Sequence, residues 1–146
     1  MTKIAIMGAG GKMGVRLAKN LMKSDHEVFC VEVDPEGQKR LRDATGLKCI
    51  AQSQALSDAE VIILALPDRL IGKVLSEFVH DLKSGAAVIM LDAAAPYAET
   101  LPKRDDISYF VSHPCHPPLF NDETDPGAIK DYFGGIAAKQ HIICAL

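Results

Sequence analysis

Ile4-Ala5-Ile6-Met7 runs straight into Gly8-Ala9-Gly10-Gly11-Lys12-Met13-Gly14, and a helical pattern begins at once. An apolar run of strand length that breaks into glycines and reopens as a helix marks a strand handing over to a helix N-terminus. That junction is the usual seat of a pyrophosphate. Free N–H groups and the positive end of the helix dipole hold the anion, and a Cβ would block the close approach of backbone to phosphate. The glycine spacing fits two templates. Gly8 and Gly10 open a G-x-G motif whose strict third glycine position is Met13; Gly8, Gly11 and Gly14 form G-x-x-G-x-x-G.

An acidic partner follows at a suitable distance. Glu27-Val28-Phe29-Cys30-Val31-Glu32-Val33-Asp34 is a second β-branched run ending in carboxylates, with Glu32 lying 24 residues beyond Gly8. A carboxylate at that strand tip accepts hydrogen bonds from a ribose 2′-hydroxyl and repels a 2′-phosphate, so NAD is expected over NADP. Lys39, Arg40 and Arg42 stand nearby and offer charge to a phosphate; the preferred reading makes them the solvated face of the next helix.

The rest of the chain alternates strand and helix. Val15, Ala18, Leu21 and Met22 give an amphipathic helix over 12–24, and a polar helix follows Pro35 to about Ala44. Leu47 to Ile50 reads as a short strand. Glu60 to Leu66 and Ala86 to Leu91 read as strands covered on both faces, and Ile107 to Val111 as a sixth strand. Between them, Leu70, Val74, Phe78 and Leu82 mark a helix face. Right-handed crossovers then imply an α/β fold with a doubly wound parallel sheet, a Rossmann fold of order 3-2-1-4-5-6. Gly134 to Ala138 and His141 to Leu146 add two C-terminal strands.

The chain of 146 residues suits one domain, a nucleotide-binding unit over 1–146. It ends on the apolar run Ile142 to Leu146, so the chain is expected to be the nucleotide half of a longer protein, cut at a domain junction. A net charge of −3 calls for neither nucleic acid nor an anionic membrane. No 18-residue apolar run or leader pattern stands out, and a cytoplasmic setting is expected. Cys30, Cys49, Cys115 and Cys144 lack paired spacing; Cys30 and Cys144, inside apolar runs, read as reduced core thiols.

Two segments fall where chemistry belongs, at the carboxyl ends of strands near the switch point. Leu66-Pro67-Asp68 would pass the nicotinamide ribose; it also reads as a plain strand-to-helix turn with Asp68 as N-cap. Ser112 to Asn121 carries His113, Cys115 and His116 among three prolines that stiffen the loop. Histidine transfers protons near neutral pH or ligates a divalent ion. The spacing matches no closed zinc site, leaving proton handling, substrate contact or an open metal position, with His116 as the candidate ligand. His26, His80 and His141 read as surface or turn residues.

The glycine motif, the Leu66-Pro67-Asp68 turn and a strand running into His-Pro resemble the 6-phosphogluconate dehydrogenase-like superfamily, which includes ketol-acid reductoisomerases. The loop His113-Pro114-Cys115-His116-Pro117-Pro118-Leu119-Phe120, taken with the opening motif, resembles the D-apionate oxidoisomerases over essentially the whole chain. The resemblance implies an NAD-dependent oxidoreductase and isomerase about twice this length, converting D-apionate to 3-oxo-isoapionate by C2 oxidation and a hydroxymethyl shift. It implies a divalent metal as electrophile and a small sugar-acid substrate, with a helical C-terminal domain beyond residue 146 through which a homodimer forms. Gly8, Gly10, Gly11, Lys12, Met13 and Gly14 would hold the diphosphate, Glu32 the adenosine ribose, Leu66, Pro67 and Asp68 the nicotinamide side, and His113 and His116 the chemistry. The alternatives are an NAD-dependent prephenate- or β-hydroxyacid-dehydrogenase-like enzyme, and an NAD-binding module without chemistry.

Overall fold

In the computed structural model, which describes residues 1–114, 124–130 and 142–146, one six-stranded sheet organises the chain. Its strands are β1 (Lys3–Met7), β2 (Glu27–Val31), β3 (Val61–Leu64), β4 (Ala87–Met90), β5 (Ser108–Pro114) and β6 (Ile142–Ala145). They lie in the order β2-β1-β3-β4-β5-β6. The first five are parallel, and β6 returns antiparallel along β5 with Val111 opposite Ala145.

Period-2 alternation within each strand sorts the core into two layers. Ala5, Met7, Val31, Ile62, Leu64, Val88 and Met90 face α3 (Gln52–Asp58) and α4 (Asp68–Phe78), whose Ala55, Leu56, Ile71, Leu75 and Phe78 are buried against them. Ile6 and Cys30 face the other way, packing with Ala18 of α1 (Lys12–Leu21) and Leu41 of α2 (Pro35–Thr45). Helices on both faces make the sheet doubly wound, as its continuous apolar strands require.

The expected order 3-2-1-4-5-6 matches this sheet, with one change at the edge. Leu47 to Ile50 contributes a single parallel bridge, Cys30 to Cys49, rather than a strand. Gly46 closes α2 in the left-handed region at φ +77° and α3 starts at Gln52; between them the pairing with β2 reduces to that bridge, with Ile50 N–H donating to the Cys30 carbonyl at 2.9 Å. The strand expected over 134–138 lies outside the described residues.

Three helix readings shift. Helix α1 ends at Leu21, not residue 24, because Lys23 and Ser24 turn back on the Asn20 and Leu21 carbonyls. The buried face of α4 runs through Ile71, Leu75 and Phe78, while Leu70 stays exposed. Two i, i+4 series overlap there, and packing against the sheet selects the one that includes Ile71. Helix α3 has no side-chain cap and little periodicity, and the single turn α5 (Ala94–Tyr97) is too short to show any, so neither was expected from the sequence. Cys144 is exposed rather than in the core; Cys30 is buried as expected.

Candidate functional site

The carboxyl ends of β1, β3, β4 and β5 share one edge of the sheet, and the sequence-predicted residues that are described gather there. Gly8 sits at φ +79°, where a Cβ would also meet the Ala65 carbonyl at 2.6 Å and Leu66 Cδ2 at 2.9 Å. A side chain is therefore excluded twice, by conformation and by space. The Gly8 and Ala9 N–H groups both donate to the Val31 carbonyl at 3.0 Å, which ties the glycine turn to the end of β2.

The other glycines divide their work differently from the simple expectation. A Cβ on Gly14 would run into the Gly8 carbonyl and come within 2.7 Å of Ala9 Cα, so Gly14 lets α1 pack on the turn. Gly14, not Met13, therefore takes the helix-packing role of a third glycine. A Cβ on Gly10 would strike the backbone of Gly37 in α2, with Gly37 Cα at 2.5 Å. The space before Gly10 is thus filled by protein, which corrects the reading that its Cβ would meet a phosphate. Gly11 alone has room, with the Gly8 carbonyl 3.3 Å away, and it is the N-cap of α1. No side chain caps α1 and no acid stands in its first turn. Such a helix start suits an anion. Gly10, Gly11, Lys12, Val15, Arg40 and Ala44 line a groove of about 340 Å³ beside it.

Glu32 follows β2 and reaches into the glycine loop. Its Oε2 accepts from Gly10 N–H at 3.0 Å, and its Oε1 accepts from Val33 N–H at 2.9 Å and Asp34 N–H at 3.0 Å. A carboxylate offers about four lone-pair sites, so three backbone donors still leave one for a hydroxyl. Asp34 caps α2 by accepting from Gly37 N–H at 2.9 Å. Arg40 is not merely solvated. Its Nε donates to the Gly10 carbonyl at 3.0 Å, and its Nη2 stands 3.7 Å from Asp34 Oδ2. Gly37, Arg40 and Ala44 recur at helical spacing on the side of α2 that borders the glycine loop, a pattern that the charge of the segment obscured. Lys39 and Arg42 are exposed as expected.

Leu66 and Pro67 follow β3, and Ala65 and Leu66 lie beside Gly8. Pro67, not Asp68, is the N-cap of α4; Asp68 is the first helical residue, where its charge complements the helix dipole. The proline's extended ψ of 134° leaves no place for an Asp68 cap.

His113 lies near the end of β5, and its Nδ1 is 2.9 Å from the Leu91 carbonyl oxygen and 3.4 Å from Asp92 Oδ2. Asp92 follows β4, and its Oδ1 accepts from Ala94 N–H at 2.7 Å at the start of α5. Sequence reasoning passed over Asp92, although an acid straight after a buried strand is the same signal that singled out Glu32. Cys115, His116 and the rest of the proline-rich loop lie outside the described residues, as does His141. Among the described residues, no group of three or more His, Cys, Asp or Glu side chains forms a metal cluster. No described helix is long and apolar enough to cross a membrane.

Burial, with Cys49 opposite, pushes the Cys30 thiol up to about 11. Cys49 is raised by burial and by the nearby Glu32 charge. Both shifts favour the protonated thiol.

Comparison with known proteins bears on this edge. The family model described as NADP oxidoreductase, coenzyme F420-dependent, matches residues 3–96. The model of the phosphogluconate dehydrogenase (decarboxylating) C-terminal domain matches residues 121–146. The chain is 59% identical over 144 residues to a D-apionate oxidoisomerase of Cupriavidus necator, covering 99% of this chain and 52% of that protein. It is 59% identical over 146 residues to one of Rhizobium rhizogenes, covering 100% of this chain and 53% of that protein. A solved structure of a semialdehyde dehydrogenase NAD-binding protein from Cupriavidus necator, in complex with calcium and NAD, is similar at a TM-score of 0.90 and 58% identity. That match covers 100% of this chain and 53% of the solved one. The chain spans about half the length of the curated relatives it matches.

Proposed function

The chain belongs to the family described as NADP oxidoreductase, coenzyme F420-dependent, and from that membership we propose that it is the nucleotide-binding part of an NAD-dependent D-apionate oxidoisomerase. The observation that carries the reading is the pairing of an uncapped α1 start at Gly11 with His113 on the same edge of the sheet. A module without chemistry would have no use for the second half of that arrangement. The 59% identity to D-apionate oxidoisomerases supports the substrate.

The residues fit a dinucleotide. Gly11, Lys12 and Met13, at the start of α1, would hold the diphosphate, with Gly8, Gly10 and Gly14 shaping the turn beneath it. Glu32 would take the adenosine ribose with its remaining lone pair, and Leu66, Pro67 and Asp68 would face the nicotinamide. When bound, NAD would supply the hydride acceptor for oxidation of the C2 hydroxyl. His113 accepts the proton released from that hydroxyl as the ketone forms. The hydroxymethyl group then moves with its bonding pair from C3 to C2, the former C2 ketone oxygen takes up a proton to become a hydroxyl, and the C3 hydroxyl gives up its proton and becomes the new ketone. His116 is assigned to handle that second proton or to ligate a divalent cation; the described residues do not complete a metal site.

A helical second domain would close the site and form the homodimer, and a cytoplasmic setting would keep the cysteines reduced. The test is a screen of the intact enzyme for NADH production on branched and linear sugar acids. D-apionate should be the best substrate, with NAD preferred to NADP. His113→Ala and His116→Ala should lower turnover far more than NAD affinity. No NADH from D-apionate would overturn the substrate; undiminished turnover in both variants would overturn the site. Turnover maintained in a chelator would remove the metal.

A further inference from the structure

We propose that Asp92 is a positioning residue which, with the Leu91 carbonyl, locks the tautomer of His113. This rests on the reading of His113 as the proton acceptor. A carbonyl oxygen carries lone pairs and no hydrogen, so a ring nitrogen 2.9 Å from Leu91 O must carry the proton. In the neutral ring Nδ1 is therefore the donor and Nε2 holds the lone pair, the atom that takes the substrate's hydroxyl proton. Asp92 Oδ2, 3.4 Å from the same Nδ1, adds a negative charge on the protonated side. When Nε2 accepts its proton, the ring becomes a cation with its Nδ1–H already facing that carboxylate. A base oriented by a third group in this way needs little rearrangement during the reaction.

The carboxylate is itself held in place. Its Oδ1 accepts from Ala94 N–H at 2.7 Å, so one oxygen anchors Asp92 to the first turn of α5 while the other faces the imidazole. The pair spans two adjacent strand ends, since β4 and β5 are registered with Met90 opposite Val111. Small residues from Ala93 to Ala95 let α5 begin immediately after Asp92.

Two measurements test the assignment. In the intact enzyme labelled with 15N-histidine, at a pH where the ring is neutral, the His113 signals should report the Nδ1–H tautomer, identified by their loss in His113→Gln. A dominant Nε2–H tautomer would overturn the proposal, whatever any variant does. Asp92→Asn keeps an oxygen for Ala94 N–H but removes the charge and presents a competing donor to Nδ1. Turnover should fall by about tenfold or more, with KM and NAD affinity changed less than about twofold. Wild-type turnover in Asp92→Asn, alongside a damaged His113→Ala, would overturn the role of Asp92 and leave the functional reading intact. Wild-type turnover in His113→Ala would overturn both.

Discussion

Gly10→Ala and Gly11→Ala, one residue apart in a glycine run, should fail in opposite ways. A Cβ on Gly10 lands 2.5 Å from Gly37 Cα. Carbon atoms in contact sit about 3.5–4.0 Å apart, so α2 must retreat by about 1 Å. That retreat strains two bonds that use Gly10 itself, its N–H to Glu32 Oε2 and its carbonyl to Arg40 Nε, each 3.0 Å long. Overpacking costs about 1–3 kcal/mol, and weakening hydrogen bonds to charged partners adds to it. A total of about 2–4 kcal/mol is expected. At roughly 3–4 °C per kcal/mol for a domain of this size, Tm should fall by about 6–16 °C. Gly11 has φ −70° and its nearest obstacle is the Gly8 carbonyl oxygen at 3.3 Å, so alanine fits once that oxygen yields by a few tenths of an ångström. Its Tm should drop by about 3 °C or less, while NAD affinity should fall tenfold or more because the new methyl stands at the uncapped start of α1. Thermal melts and calorimetric titration with NAD separate the two. A Gly10→Ala protein as stable as wild type would refute the packing argument, and wild-type NAD affinity in Gly11→Ala would refute the anion site.

Glu32→Gln should keep acceptors for Val33 and Asp34 N–H but lose the charge, so discrimination between NAD and NADP should shrink by about tenfold; equal affinities in the unmutated protein would contradict the assignment. Asp34→Ala removes the α2 cap and the ion pair with Arg40, and should cost about 1 kcal/mol in chemical denaturation, with Asp34→Asn recovering most of it. The Cys30 thiol, raised from 9.0 to about 11, binds its proton more tightly in the folded chain than in the unfolded one. Its contribution is complete below pH 9 and is lost as pH rises toward about 11, so Cys30→Ala should flatten the fall of stability across that window. An unchanged slope would mean that other groups govern it.

The alternation of apolar runs and helical patterns specified the doubly wound sheet and its order, because a strand covered on both faces cannot hide its composition. The glycine run after Met7 marked the turn, and Glu32 marked the strand tip, for equally local reasons: one needs backbone room and the other a carboxylate at an exposed end. What each glycine makes room for was not local. Gly10 faces Gly37, which is distant in the chain, and that contact exists only once α2 has crossed over the turn. Arg40 became part of the loop for the same reason, since its charge alone reads as a solvated face. Asp92 and His113 stand on separate strands, and pairing β4 with β5 brings an isolated acid and an isolated histidine within 3.4 Å. Residue types and periods report what each segment can do, but a hydrogen-bonded pair or a close backbone contact depends on which segments the sheet makes neighbours.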